Sequence, residues 1–244
     1  MCLNEEKMIP YFLLHYINIV DKICIFDNGS TDKSLDLLKG DEKINVQEVK
    51  TEGESFCHFY RELMNTAWKN SRHDTDWILT AEMDEHLHHP DLRSYLDHCR
   101  EVGTTILKAT GFEMITDQFP TDSRPLWMHV THGAREKLCD KPAIFDPKAI
   151  NEINYDHGRH LAAPQGNVRF EEFPQVKLLH YKSLGLEYVC ERNRILAGGS
   201  DRRTFPREPV VIIYDPMRGQ PRICIISGRA HVACLDSPRD MTNL

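Results

Sequence analysis

The sequence predicts an α/β domain built on a mostly parallel sheet flanked by helices. Helical and strand-like periods alternate through the first hundred residues, the order that builds crossover units. Two of the predicted strands run into polar, charge-rich stops at Asp27-Asn28-Gly29-Ser30-Thr31-Asp32 and Glu82-Met83-Asp84-Glu85, and ligands gather at such C-terminal strand ends. The 244 residues are enough to bury one sizeable core without division into two domains.

Taken in order, Met8 to Ile19 reads as a helix with Ile9, Phe12, Leu13 and Tyr16 on one face. Ile23-Cys24-Ile25-Phe26 is a short strand; Asn28-Gly29 then makes a turn, and Ser30 or Thr31 caps a helix carrying Leu35, Leu37 and Leu38. A strand follows at Ile44 to Val49, then a helix from Ser55 to Lys69 carrying Phe59, Leu63 and Trp68. Asp76 to Thr80 is the next strand, ending in three carboxylates within four residues, Glu82, Asp84 and Glu85. Pro90 to Cys99 places Leu92, Tyr95 and Leu96 at helical spacing, and Thr104 to Lys108 is a strand followed by loop-rich sequence. Ala143-Ile144-Phe145 and Val176 to Leu179 read as short strands. The character changes after Gly198: Gly198-Gly199-Ser200-Asp201-Arg202-Arg203 is a break, Val210 to Tyr214 and Ile223 to Ile226 pair as strands, and the last residues read as disordered.

Composition excludes several classes. The net charge of −7 gives no general attraction for nucleic acid, and no basic patch dominates. The eight cysteines are scattered without paired metal-ligand spacing, so they read as reduced thiols, mostly buried as small apolar residues. No apolar run approaches a membrane span of ~20 residues and no signal-peptide pattern opens the chain, which predicts a cytoplasmic protein, at most peripheral at a membrane.

Four pieces stand in order: Asn4-Glu5-Glu6 before a helix, Asp27 to Asp32 after a strand, Arg61 in a helix, and Glu82 to Glu85 after a strand. Lys141-Pro142-Ala143-Ile144-Phe145, His157-Gly158-Arg159-His160 and Lys177-Leu178-Leu179-His180-Tyr181-Lys182 extend the set. Over about residues 2 to 195 the set resembles family 2 glycosyltransferases of the bacterial branch, which implies the GT-A type nucleotide-diphosphosugar transferase fold. On that resemblance residues 1–198 form the transferase domain, with a nucleotide-binding half over about 1–100 and an acceptor half over about 101–198; residues 199–244 are an unassigned extension.

The resemblance implies a metal-dependent, inverting transfer of sugar from a nucleoside-diphosphate donor, a uridine nucleotide favoured, to a carbohydrate or other hydroxyl acceptor in cell-surface polysaccharide assembly. Asp84 is the principal ligand of Mn2+ or Mg2+, and His180 completes the metal site; imidazole suits manganese as oxygen ligands do. Asn4, Glu5, Asp27, Gly29, Arg61, Glu82 and His160 line the donor, with Asp27 towards the base. Glu82 stands where the family motif has aspartate. Arg61 and Arg135 carry guanidinium forks suited to diphosphate oxygens. Asp117 is the first choice for the general base and Glu113 the second, since attack by a hydroxyl needs a carboxylate within hydrogen-bond reach. His86, His88 and His89 lack the spacing of a helical zinc motif and read as a solvated loop or acceptor-side wall.

A GT-A domain opens with a buried strand that is almost missing before Asn4, so the strand is expected upstream or from another source, and the edge it leaves predicts a homodimer. Two alternatives stand beside the transferase: a non-catalytic nucleotide-sugar binding protein, and a metal-dependent hydrolase using the histidine-rich loop.

Overall fold

The computed structural model describes residues 2–50, 55–199, 210–214 and 221–225. The architecture is mixed α/β, but its main sheet is a mostly antiparallel, strongly curled half-barrel, which overturns the predicted GT-A sheet of mostly parallel strands flanked by helices. A first unit carries α1 (Ile9–Tyr16), β1 (Ile23–Asp27), α2 (Ser34–Leu37) and β2 (Ile44–Glu48). Its two strands run parallel, as expected, but form a separate two-stranded sheet. Cys2 extends it through a parallel bridge to Asp27.

The chain continues through α3 (Phe56–Thr66), β3 (Ile78–Leu79), β4 (Glu85–His88), α4 (Leu92–Glu101), β5 (Ile106–Thr116), α5 (Leu126–His129), β6 (Gly133–Arg135) and β7 (Lys141–Phe145). After β8 (Ile150–Glu152) and β9 (Gln165–Gly166) come β10 (Lys177–Leu184) and α6 (Leu186–Gly199). The main sheet has the order β3-β7-β5-β10-β4, with β6 on β5. Only β5 and β10 run parallel in it; β3–β7, β7–β5, β10–β4 and β5–β6 are antiparallel. The difference from the sequence expectation lies in two segments. The predicted strand Asp76 to Thr80 shrinks to two residues paired antiparallel with β7. The predicted loop after Lys108 is instead the second half of an eleven-residue strand.

Gly111 shows why that half looked like a loop. Its carbonyl accepts from Glu136 N and Arg135 Nη1, each at 3.1 Å, and a Cβ there would stand 2.4 Å from Cys139 backbone carbon. Glycine marks close approach of two segments, not a break in the strand. The last strands, β11 (Val210–Tyr214) and β12 (Pro221–Ile225), pair as expected and run antiparallel, whereas the break at Ser200 to Arg203 and the tail beyond residue 225 lie outside the described residues.

Leu107, Ala143, Ile144, Leu178 and Tyr181 are fully enclosed at the centre of the core. Of six described cysteines, Cys2, Cys99 and Cys139 are buried, Cys57 is half-buried and Cys24 and Cys190 are exposed, so core packing accounts for half of those six thiols. No helix among the described residues is long and apolar enough to cross a membrane.

His86 corrects the reading of the histidine run as a solvated loop: it lies in β4 with no exposure, stacked on His15 at 4.6 Å and ringed by Phe12, Tyr16 and Tyr181. Burial pushes His15 down to about 4 and His86 well below the usual imidazole range, with His15 adding to the depression of His86 and His88 to that of His15. Their unfolded counterparts titrate near 6.5, so the unfolded chain binds more protons and stability falls as pH drops from about 6.5 towards 4. For His15 alone the loss by pH 5 is about 2 kcal/mol relative to pH 8. Burial also holds Glu5 up to about 8, which acts in the opposite sense as pH falls towards the usual carboxylate range. The expected result is therefore read as a difference: His86→Phe flattens the acid limb of urea-determined stability, and parallel curves for variant and wild type from pH 8 to 5 would refute it.

Candidate functional site

The first two motifs clasp one another. Asn4, at a left-handed φ of 53°, accepts through Oδ1 from Thr31 N at 2.7 Å and Asp32 N at 3.3 Å, while Asn4 N donates to Ser30 Oγ at 2.9 Å. Glu5 N donates to Ser34 Oγ at 2.7 Å and Glu6 N to Asp32 Oδ2 at 3.1 Å. Asp27 is buried, and its carboxylate accepts from Gly29 N, Ser30 N and Ser30 Oγ; as placed, it organises the turn. Gly29 has φ +82° with open space where a Cβ would stand, so its requirement is backbone conformation.

The acid cluster occupies a turn between β3 and β4. Glu85 N donates to Glu82 O at 3.1 Å, Glu82 N donates to Glu85 Oε2 at 3.0 Å, and Tyr181 N donates to Asp84 O at 2.7 Å. Glu85 itself is buried and paired with two buried cations, Lys141 and Arg159. Burial opposes its charge, yet Arg159 and Lys141 hold its carboxyl well below the usual range. Arg159 also donates from Nε to Tyr60 Oη at 3.0 Å and from Nη1 to Thr80 O at 2.9 Å, and lies 3.6 Å from Glu82. These bonds hold Arg159 at φ 59°, a left-handed conformation unfavourable by about 1–2 kcal/mol for a side-chain-bearing residue.

Beside this ionic base, β10 brings His180 to the turn. Its Nε2 faces Asp84 Oδ2 at 3.6 Å, and its Nδ1 lies 2.9 Å from Glu113 Oε2 and 3.5 Å from Cys139 Sγ. His180 and Glu113 stand opposite one another in the parallel β10–β5 pair; a one-residue bulge beyond His180 then lets Ser183 Oγ donate to Glu113 Oε1 at 2.8 Å. Burial works against a charged ring, but the charge of Asp84, followed by the hydrogen bonds the ring makes with Asp84, Cys139 and Glu113, carries His180 well above the usual imidazole range. Asp84 is correspondingly held low, with burial opposed chiefly by His180. Glu5 enters the same field: Asp84 and Glu82 push its carboxyl up and Arg192, paired with it, draws it down.

The structure thus brings Asp84, His180 and Glu113 into one contact cluster, holds Glu82 in the neighbouring network of Tyr60, Arg159 and Glu85, and links Glu5 to Asp84 electrostatically. Other expected residues are engaged elsewhere. Arg61 pairs with His58 and Glu62 along its own helix, and Arg135 with Asp140 at 2.6 Å. Asp117 is exposed one residue past β5. His160 is exposed, and its Nδ1 meets Leu138 O. Lys141, Arg159, Tyr60, Cys139, Ser183 and Arg192 were not singled out individually. Lys141 and Arg159 did carry a signal, as cations inside motifs that also hold apolar or glycine residues.

Comparison with protein-family models and with curated proteins finds no match for the chain.

Proposed function

We propose that this protein is a metal-dependent, inverting transferase that moves a sugar from a nucleoside-diphosphate donor, uridine favoured, to a hydroxyl acceptor, with a role in cell-surface polysaccharide assembly. The observation that carries the reading is the facing pair of Asp84 carboxylate and His180 Nε2, with Glu113 bonded to the far side of the ring. A carboxylate oxygen and an imidazole nitrogen are a donor set that fits Mn2+, and Mg2+ through the carboxylate. A carboxylate on Nδ1 fixes the tautomer that leaves Nε2 as a ligand. Such an ion, when bound, offsets diphosphate charge and stabilises the departing nucleoside diphosphate.

The protein's own groups supply the rest. The clasped turns of Asn4 to Glu6 and Asp27 to Ser34 present backbone and side chains for the nucleoside. Glu113 is already engaged by His180 and Ser183, so it positions the ring, and Asp117, solvent-facing past β5, is the group assigned to take the acceptor proton. The choice of uridine and of a polysaccharide product rests on the motif resemblance, which extends to the ordered motifs and not to the sheet.

Titration of UDP, GDP and ADP into the protein with Mn2+ and with chelator tests the reading, followed by nucleotide release from a panel of donors. Affinity that rises with Mn2+ for one base supports it. Equal binding with and without metal across all three would sink it.

A further inference from the structure

We propose a second cation site on the opposite face of His180, formed by Glu113, Cys139 and His180 Nδ1 and selective for zinc. One ligand atom from each of the three residues lies within 4.8 Å of the others, drawing on β5, the segment before β7, and β10. A thiolate, an imidazole and a carboxylate form a borderline-soft set that suits Zn2+ and disfavours Mg2+.

The fold builds this site before any ion arrives. Gly111 lets Cys139 settle against β5, two residues along from Glu113. Asp140 then locks the approach, accepting from Gly111 N at 2.8 Å and from Arg135 Nη2. Ser183 occupies Glu113 Oε1 and leaves Oε2 turned towards His180, while Cys139 is buried and the other two ligands are only partly covered, giving a cation a way in from their side. On binding, the Cys139 thiol and the Nδ1–H of His180 give their protons to solvent, and the thiolate and the freed ring nitrogen become ligands.

The two sites exclude one another. Zinc on Nδ1 leaves the proton of a neutral ring on Nε2, facing Asp84, so Nε2 has no lone pair for a second ion; an ion on the Asp84 side requires the reverse tautomer. Zinc would therefore act as an inhibitor of the metal-dependent nucleotide binding proposed above. Only this consequence rests on that reading, since zinc binding itself does not.

The test is competition for Zn2+ against a chromophoric chelator, with Co2+ as a spectroscopic probe, on the full chain and on Cys139→Ser, Glu113→Gln and Asp84→Asn. The wild type should take one equivalent of zinc and show the near-ultraviolet thiolate-to-cobalt band. Cys139→Ser should lose that band and bind zinc at least about tenfold more weakly, whereas Asp84→Asn, which removes no zinc ligand, should keep the band. Zinc held equally by Cys139→Ser and wild type, absence of the band in folded wild type, or loss of the band in folded Asp84→Asn would each overturn the proposal. Stoichiometry is read without nucleotide, so failure of the transferase reading leaves this result interpretable. If nucleotide binding does require Mn2+, zinc should suppress it in the wild type and spare Cys139→Ser; equal suppression in both would refute the exclusion.

Discussion

Glu85→Gln is expected to lower the unfolding free energy by about 3–5 kcal/mol, measured by urea denaturation at neutral pH. The substitution keeps the shape of the side chain and removes only its charge, so the loss reports electrostatics and not a cavity. Lys141 and Arg159 would remain buried and, among the described residues, only Arg159 would keep an anion nearby, the more distant Glu82. A buried cation stripped of its partner is the costly case, while an intact pair contributes little net stability. The pH dependence follows the same sign. Glu85 is held below its unfolded range, so its contribution is full above about pH 4.5 and fades as pH falls further. The variant should lack that part of the acid transition. Stability within about 1 kcal/mol of wild type would show that Glu82 alone can neutralise the two cations.

Asp84→Asn is expected to weaken Mn2+-dependent nucleotide binding by about 100-fold or more while leaving the fold intact. The turn does not depend on this carboxylate: Tyr181 bonds to the backbone carbonyl of Asp84, and Glu82 and Glu85 bond to one another. Glu113→Gln provides a graded comparison, because it leaves both proposed ligands but loosens the ring they share, a change worth about 10–100-fold. Calorimetric titration with Mn2+ and with chelator separates these effects. Asp84→Asn binding as tightly as wild type would remove Asp84 from the site. A smaller loss for Asp84→Asn than for Glu113→Gln would shift the principal ion to the Cys139 side.

What the sequence revealed and what it concealed follow from the range of the interactions. Local signals were readable: the Asn28-Gly29 turn, the strand at Ile23, the helix expected over Pro90 to Cys99 and found at Leu92–Glu101, and the pairing of β11 with β12. Sheet direction was not readable, because alternation of elements says nothing about which strand lies beside which. β4 was hidden for a different reason: His86 and His88 look polar in sequence, and only tertiary burial makes Glu85–His88 a strand. The late histidine was found from its motif, but its second partner, Cys139, comes from a separate segment brought in by the space at Gly111.

The place of β10 in the sheet sets the order in which a nascent chain can finish. It is the last strand of the sheet to be synthesised, yet it lies between β5 and β4. At ribosomal speeds of roughly 5–20 residues per second, β4 waits on the order of 5–20 s for its hydrogen-bonding partner after leaving the exit tunnel. During that interval an unpaired strand edge is open to chaperones or to neighbouring nascent chains. His180 arrives on that same late strand, so neither cation can be held before the sheet closes. Metal present during synthesis would favour the closed form by binding it alone, making the site a latch on the final folding step.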